Sequence, residues 1–358
     1  MKRKSIKRLK TLVELNAVPG QEHQVRDFMR KELSKYSDEI IQDKLGSIFA
    51  VKRSKVENAP KVMVAGHMDE VGFMVTGLNE FGLVKFQTLG GWWNQNMLAQ
   101  RVKLHTDKMV IPGVISSVSP HLLTPEQRKK PMEITKMLID VGCSTKEEAE
   151  ELGIKVGQMI TPEGDLVEMA NGKTLLGKAF DDRYGCALAL DVLESLQDVD
   201  LPCDLYIGAT IQEESGLRGA RTSSFMIAPD VFIAADASPA RDTSGPKTEL
   251  GRLGDGFLVR IYDRSMILSR EMRDHMLRIA KKKKIKNQFY TSPGGTDAGA
   301  VHVSREGVPS CVVGIAARNI HSHSSIIHKD DYDAAFKMVT ELVKSMDYDT
   351  VQKVKGLK

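Results

Sequence analysis

Cysteine is scarce in this chain. Its four cysteines, Cys143, Cys186, Cys203 and Cys311, lie far apart and form no CxxC pair, which excludes a zinc ribbon and leaves no disulfide framework to propose. A reducing, cytoplasmic setting is therefore expected. No apolar run approaches the roughly 18 residues that a membrane helix needs. One-sided charge is also missing: Lys+Arg 51 against Asp+Glu 47 leaves +4 over 358 residues, too small a surplus to mark a nucleic-acid or membrane partner. Several catalytic signatures are absent. There is no GxSxG elbow and no GxxxxGK[ST] loop, and Val71 stands where an HExxH helix would carry its second histidine. The stretch from Gly294, Gly295, Thr296 and Asp297 to Gly299 lacks the lysine of a nucleotide loop. It reads as a close backbone approach beside a site, donating N–H groups to a substrate.

What remains is ordinary globular composition, 41% hydrophobic and 27% charged, with length enough for about two domains. The basic start resembles a signal peptide, but Lys10 and Glu14 interrupt it, and Ile6, Leu9, Leu12 and Val13 follow helical spacing. A second helix carries Val25, Phe28, Met29, Leu33 and Tyr36 on one face, and strands are expected at about 47–53 and 61–66. From Val71 to about Thr161 the texture changes to short β-like runs broken by Gly, Asn and Asp, with one helix opened by a Ser144/Glu147 capping box. From Lys173 onward strands and helices alternate. The economical architecture is one α/β domain, residues 1–72 and 165–358, interrupted by a β-rich insertion over 73–164. The lysines from Lys281 to Lys286 read as a solvated helix end.

The informative polar residues share one position, just after a strand. His67, Asp69 and Glu70 follow KVMVAG; Asp181 and Asp182 follow TLLGKAF; Glu213 and Glu214 follow LYIGATIQ; Asp236 follows VFIAA; His321 and His323 follow CVVGIAARNI. Taken singly, each is an ordinary loop or capping residue, and Asp182 suits a helix cap. Jointly they matter, because sites of open α/β sheets form outside the carboxyl ends of parallel strands. Imidazole and carboxylate without thiolate suit Zn, Co or Mn.

A ligand set with one carboxylate able to bridge makes two divalent ions natural. Asp181 would bridge, His67 and Asp236 would complete one ion, and Glu214 and His321 the other. Glu213, adjacent to a ligand but turned from it as on an extended segment, would serve as general base. Asp69 is placed to accept the other N–H of His67. Trp92 and Trp93 read as packing within the insertion, or as an anchor between subunits.

AGHMDEVGF, GKAFDDRYG, IQEESGLRGA, AADAS, GGTDAGA and IHSH resemble, in order and spacing, the motifs of the tetrahedral aminopeptidases, dinuclear metallopeptidases that include the glutamyl aminopeptidases. The resemblance covers nearly the whole chain, GGWWNQNMLAQRV in the insertion included. It implies a mixed-sheet, three-layer α/β catalytic domain with an inserted PDZ-like dimerisation domain. It implies metal ligands at His67, Asp181, Glu214, Asp236 and His321, and a base at Glu213. It further implies self-association into dimers and a hollow tetrahedral dodecamer, with short peptides as substrates. Ser215, Asn319 and His323 depart from the family pattern without removing a ligand. A glycosidase using Glu213 and Glu214 is disfavoured, since adjacent carboxylates do not face each other across a sugar. A peptide-binding scaffold with a dead site has no missing ligand to support it.

Overall fold

The computed structural model describes residues 1–244, 246 and 250–357. Two helices open the chain, α1 (Arg3–Glu14) and α2 (His23–Leu33), burying Leu9, Leu12 and Val13, and Val25, Met29 and Leu33. Such spaced apolar stripes are what lets a helix cover a sheet. β1 (Glu39–Gln42), β2 (Ile48–Lys52) and β3 (Lys61–His67) follow. Next come β4 (Gly72–Leu78), β5 (Val84–Leu89), β6 (Arg101–His105), β7 (Val110–Ile115), α3 (Pro125–Lys129), β8 (Ile139–Asp140), α4 (Lys146–Glu151) and β9 (Met159–Pro162). The chain returns through β10 (Val167–Glu168), β11 (Thr174–Gly177), α5 (Phe180–Ser195), β12 (Asp204–Thr210), α6 (Arg218–Ile227) and β13 (Val231–Pro239). It ends with β14 (Phe257–Tyr262), α7 (Arg270–Lys283), β15 (Asn287–Thr291), α8 (Asp297–His302), β16 (Ser310–Ala317), β17 (Ser325–His328), α9 (Lys329–Ser345) and α10 (Tyr348–Val354).

Eight strands form one mixed sheet in the order β1-β2-β12-β3-β13-β16-β14-β15. Its central strands β12, β3, β13 and β16 run parallel, and β2 and β14 join them antiparallel. Both faces are covered, so the strands are apolar at nearly every position. In β13, Val231, Ile233 and Ala235 belong to the core shared with α5 and α9, whereas Phe232 and Ala234 belong to the core under α6 and α8. The result is the expected three-layer sandwich. Full burial of each large aliphatic side chain contributes on the order of 1.5–3 kcal/mol.

The close seat of α5 on this sheet depends on glycine. A Cβ on Gly185 would lie 2.5 Å from the Ala235 carbonyl oxygen and 2.8 Å from Gly66 Cα. Helix and strands can therefore touch backbone to backbone, which brings the start of α5 to the strand ends.

Strands β4 to β9 close into an antiparallel barrel, in the order β4-β5-β8-β7-β6-β9, around Phe73, Val75, Val102, Leu104, Ile139 and Ile160. The capping of α4 differs from expectation by one residue. Thr145 Oγ1 accepts the Glu148 N–H at 3.2 Å, while the Glu148 carboxylate takes the Ser144 N–H at 2.7 Å. Ser144 and Thr145 are both able caps, so composition alone does not choose between them. The periodic pattern also passes over α3, whose five residues are too few to show a stripe, although Thr124 and Gln127 form a capping box there. Among the described residues no helix is long and apolar enough to cross a membrane.

Candidate active site

Parallel order puts four chain segments on one rim of the sheet. His67 is the last residue of β3, Asp236 lies within β13, Glu213 and Glu214 turn off the end of β12, and His321 follows β16. Asp181 arrives from the first turn of α5, where Asp181 and Asp182 have non-helical backbone angles and are joined by a cis peptide.

Asp181 stands between the two histidines. Its Oδ1 is 3.0 Å from His67 Nε2, and its Oδ2 is 3.3 Å from His321 Nε2. Glu214 Oε1 lies 3.1 Å from the same His321 nitrogen, and Glu213 Oε2 lies 4.0 Å from His67 Nε2. Potential ligand atoms of His67, Asp181 and Glu214 fall within 4.8 Å of one another, as do those of His67, Glu213 and Asp236. Glu213 therefore belongs to the cluster by geometry. Its divergence from Glu214 arises in a turn and not on an extended strand: Gln212 has φ +52°, and the Glu213 carbonyl accepts the N–H groups of Gly216 and Leu217.

Backbone contacts orient these groups. His67 Nδ1 donates to the Asp69 carbonyl oxygen at 2.9 Å, whereas the Asp69 carboxylate is 3.5 Å away. Asp69 thus meets the His67 ring chiefly through its main-chain carbonyl. The Asp69 side chain instead accepts the N–H of Glu213 at Oδ1 and that of Glu214 at Oδ2, each at 3.0 Å. Glu22, in the loop before α2, extends this cradle by accepting the Gln212 N–H at 3.1 Å. Asp182 accepts the backbone N–H of His67 and of Gly185, so it does cap α5 while also fixing the end of β3.

Periodicity gave no hint of several further contacts. Buried Glu70 is held by Lys178 and Arg183, and Arg183 also donates to the Leu12, Leu15, Ala17 and Met68 carbonyls. From the barrel, the Gly91 carbonyl accepts from His321 Nδ1 at 2.8 Å. Trp92 stacks on Phe73 at 4.7 Å, whereas Trp93 is 62% exposed. His323 is buried, and its desolvation lowers it to about 4. In the glycine-rich loop the Gly294 N–H goes to Ser292 Oγ and Thr296 caps α8. Gly295 approaches Ser265 closely, and Asp297 ties the loop to the strand ends by accepting from Thr210 Oγ1.

The donor set calls for cations. Burial, reinforced by neighbouring carboxylates, pushes Glu213, Glu214, Asp182 and Asp236 upward. Burial alone would also raise Asp181, but the facing His321 and His67 rings overcome it and hold the carboxyl down. Desolvation would lower both rings, yet the surrounding carboxylates raise them, Asp181 foremost at His67 and Glu214 at His321. Glu214 Oε1 is buried without a well-directed hydrogen bond. Carboxylates in excess over imidazoles, nitrogen and oxygen donors only, and an orphaned carboxylate oxygen all fit divalent metal binding.

The M42 glutamyl aminopeptidase family matches residues 46–338. The chain is 42% identical over 355 residues to the glutamyl aminopeptidase of Lactococcus lactis subsp. cremoris (strain MG1363), covering 98% of each. It resembles the crystal structure of a TET aminopeptidase from the marine sediment archaeon Thaumarchaeota archaeon SCGC AB-539-E09, with TM-score 0.95, 39% identity and 100% of both chains covered. It is also similar to Pyrococcus horikoshii TET1 peptidase, which can assemble into a tetrahedron or a large octahedral shell, at TM-score 0.86, 27% identity and 95% and 99% coverage of the two chains. The chain therefore belongs to the M42 glutamyl aminopeptidase family, and it is a peptide hydrolase.

Proposed function

We propose that this chain is a cytoplasmic aminopeptidase that releases N-terminal residues from short peptides at a centre of two divalent cations, Zn, Co or Mn. The observation that carries the reading is the placement of the two Asp181 oxygens against different histidines. His67, Asp181 and Asp236 would hold one cation, and Asp181, Glu214 and His321 the other. Such a pair, when bound, supplies a water of lowered pKa and a positive field for the oxyanion formed at the scissile carbonyl.

The chain's own groups supply the proton handling and the positioning. Glu213 is the general base: its carboxylate stands beside His67 and Asp236, where it would take a proton from water and return it to the leaving amine. Asp69 fixes Glu213 and Glu214 through their backbone N–H groups, which sets where the accepting oxygen stands. Residues 1–72 and 165–358 form the catalytic domain, and residues 73–164 the dimerisation domain. Dimers associate further into a tetrahedral dodecamer.

Metal-stripped protein is assayed with a free peptide and its N-acetylated twin, adding back Zn, Co or Mn. Turnover should appear only with metal and only on the free peptide. Equal cleavage of both peptides would overturn the aminopeptidase reading, and cleavage without metal would overturn the metal centre.

A further inference from the structure

We infer that the Gly90-Gly91 turn of the barrel is a working part of the cation site, seating His321 and Glu214 so that the main sheet does not complete the centre by itself. The inference rests on the two-cation reading above.

The two histidines are held in different ways. His67 is 3% exposed and gives its Nδ1 hydrogen to a carbonyl two residues away, that of Asp69. His321 is 33% exposed and sits in a loop at φ +55°. Its orienting partner is the Gly91 carbonyl, 230 residues away in sequence. A carbonyl only accepts, so His321 Nδ1 must keep its hydrogen, and Nε2 becomes the nitrogen offered to a cation beside Asp181 and Glu214.

Glycine permits this approach. Gly90 has φ +81°, and a Cβ there would lie 2.5 Å from Val71 Cγ1 and 3.1 Å from Glu214 Oε2. A Cβ on Gly91 would lie 3.4 Å from His321 Nδ1. The turn thus presses on both residues assigned to the second cation. It is fixed to the barrel by its neighbour: Trp92 Nε1 donates to the Gly72 carbonyl at 3.2 Å, and the indole stacks on fully buried Phe73. Trp92 and the Gly90-Gly91 turn are positioning residues, and a shift of the barrel would be felt as a change in cation affinity.

The full-length chain is titrated with Zn against a chelator, without substrate, as unmutated protein, as Gly90→Ala and as Gly142→Ala. Gly142 is a control from the same barrel, at φ +84° with nothing within 4 Å of its Cβ position. Gly90→Ala should weaken the second Zn by roughly 10–100-fold, the usual effect of losing an outer partner of a ligand. The first Zn, and both ions in Gly142→Ala, should bind as in the unmutated chain. Two ions bound with unchanged affinity in Gly90→Ala would overturn the role of the turn alone. Fewer than two ions in the unmutated chain would overturn the two-cation reading instead. A measurement that needs no variant is the ring 15N spectrum of the Zn-loaded protein. The Nδ1–H tautomer is expected at His321, and the Nε2–H tautomer would refute the inference even if Gly90→Ala fails to fold.

Discussion

Asp69→Asn should be far more damaging than Glu22→Gln, although each exchanges one buried carboxylate for an amide. Asp69 is fully buried and uses both oxygens, one for the Glu213 N–H and one for the Glu214 N–H. Asparagine can offer one acceptor and must point its NH2 group at the other N–H. Losing a hydrogen bond to a charged group removes about 1.5–3 kcal/mol, and a stranded buried donor adds to that loss. Displacement of the glutamate pair by a fraction of an ångström to one ångström should also lower kcat by up to ~100-fold. Glu22 receives the Gly20 and Gln212 N–H groups at a single oxygen, Oε1, at 2.8 and 3.1 Å. Glutamine with its carbonyl in that place keeps both. Burial and the Asp69 charge also raise Glu22 from 4.5 to about 7 in the metal-free chain, so the folded state binds this proton more tightly than the unfolded state. Stability tied to it is present below pH 4.5 and is lost as pH rises through 7, at most roughly 3 kcal/mol. Glutamine has no such loss, so at pH 8 Glu22→Gln should equal or exceed the parent in stability. Urea unfolding of the metal-free proteins at pH 5 and 8, with kcat and KM of the metal-loaded forms on an aminoacyl p-nitroanilide, measures each part. Equal losses in the two variants would refute the cradle.

Gly185→Ala should destabilise the fold by about 3 kcal/mol or more, because its Cβ would meet Asp182 Oδ2 at 2.3 Å and two backbone atoms that cannot swing away, the Ala235 carbonyl oxygen at 2.5 Å and Gly66 Cα at 2.8 Å. A urea midpoint near that of the parent would show that α5 is not seated by backbone contact. Desolvation, with nearby Lys178, lowers His105 to about 4. Its ring resonances should shift near pH 4. The stability tied to its neutral form is present above its ordinary 6.5 and lost as pH falls through 4; a midpoint at 6.5 would contradict its burial.

The sequence exposes a strand-end site when the strands are apolar runs and the polar residue comes at a fixed offset. That holds for His67 after KVMVAG and for Asp236 within VFIAAD, where parallel pairing then places both on one rim. The closed barrel was legible as a β-rich block, but its closure was not, since alternation along a strand does not name its partners. Backbone acceptors were invisible for a deeper reason: any residue carries a carbonyl, so nothing marks Gly91 as the partner of His321, or Asp69 as a partner of His67 through its main chain. Lys178 and Arg183 escaped because buried charged residues look like surface ones until their counter-charge, Glu70, is placed beside them, and Glu22 because its partners are the backbone N–H groups of Gly20 and Gln212. Asp182 suits a helix cap by sequence, and it fills that place while holding His67 as well.

In the proposed mechanism Glu213 acts as a base beside two cations, although its carboxylate lies close enough to His67 and Asp236 to be counted as a ligand. The most direct measurement is the metal content and turnover of Glu213→Gln. The expected result is a folded protein that binds two divalent ions as the parent does while kcat falls by about 10²–10⁴-fold, the range of general acid–base catalysis. Undiminished turnover, or loss of a cation along with activity, would contradict it.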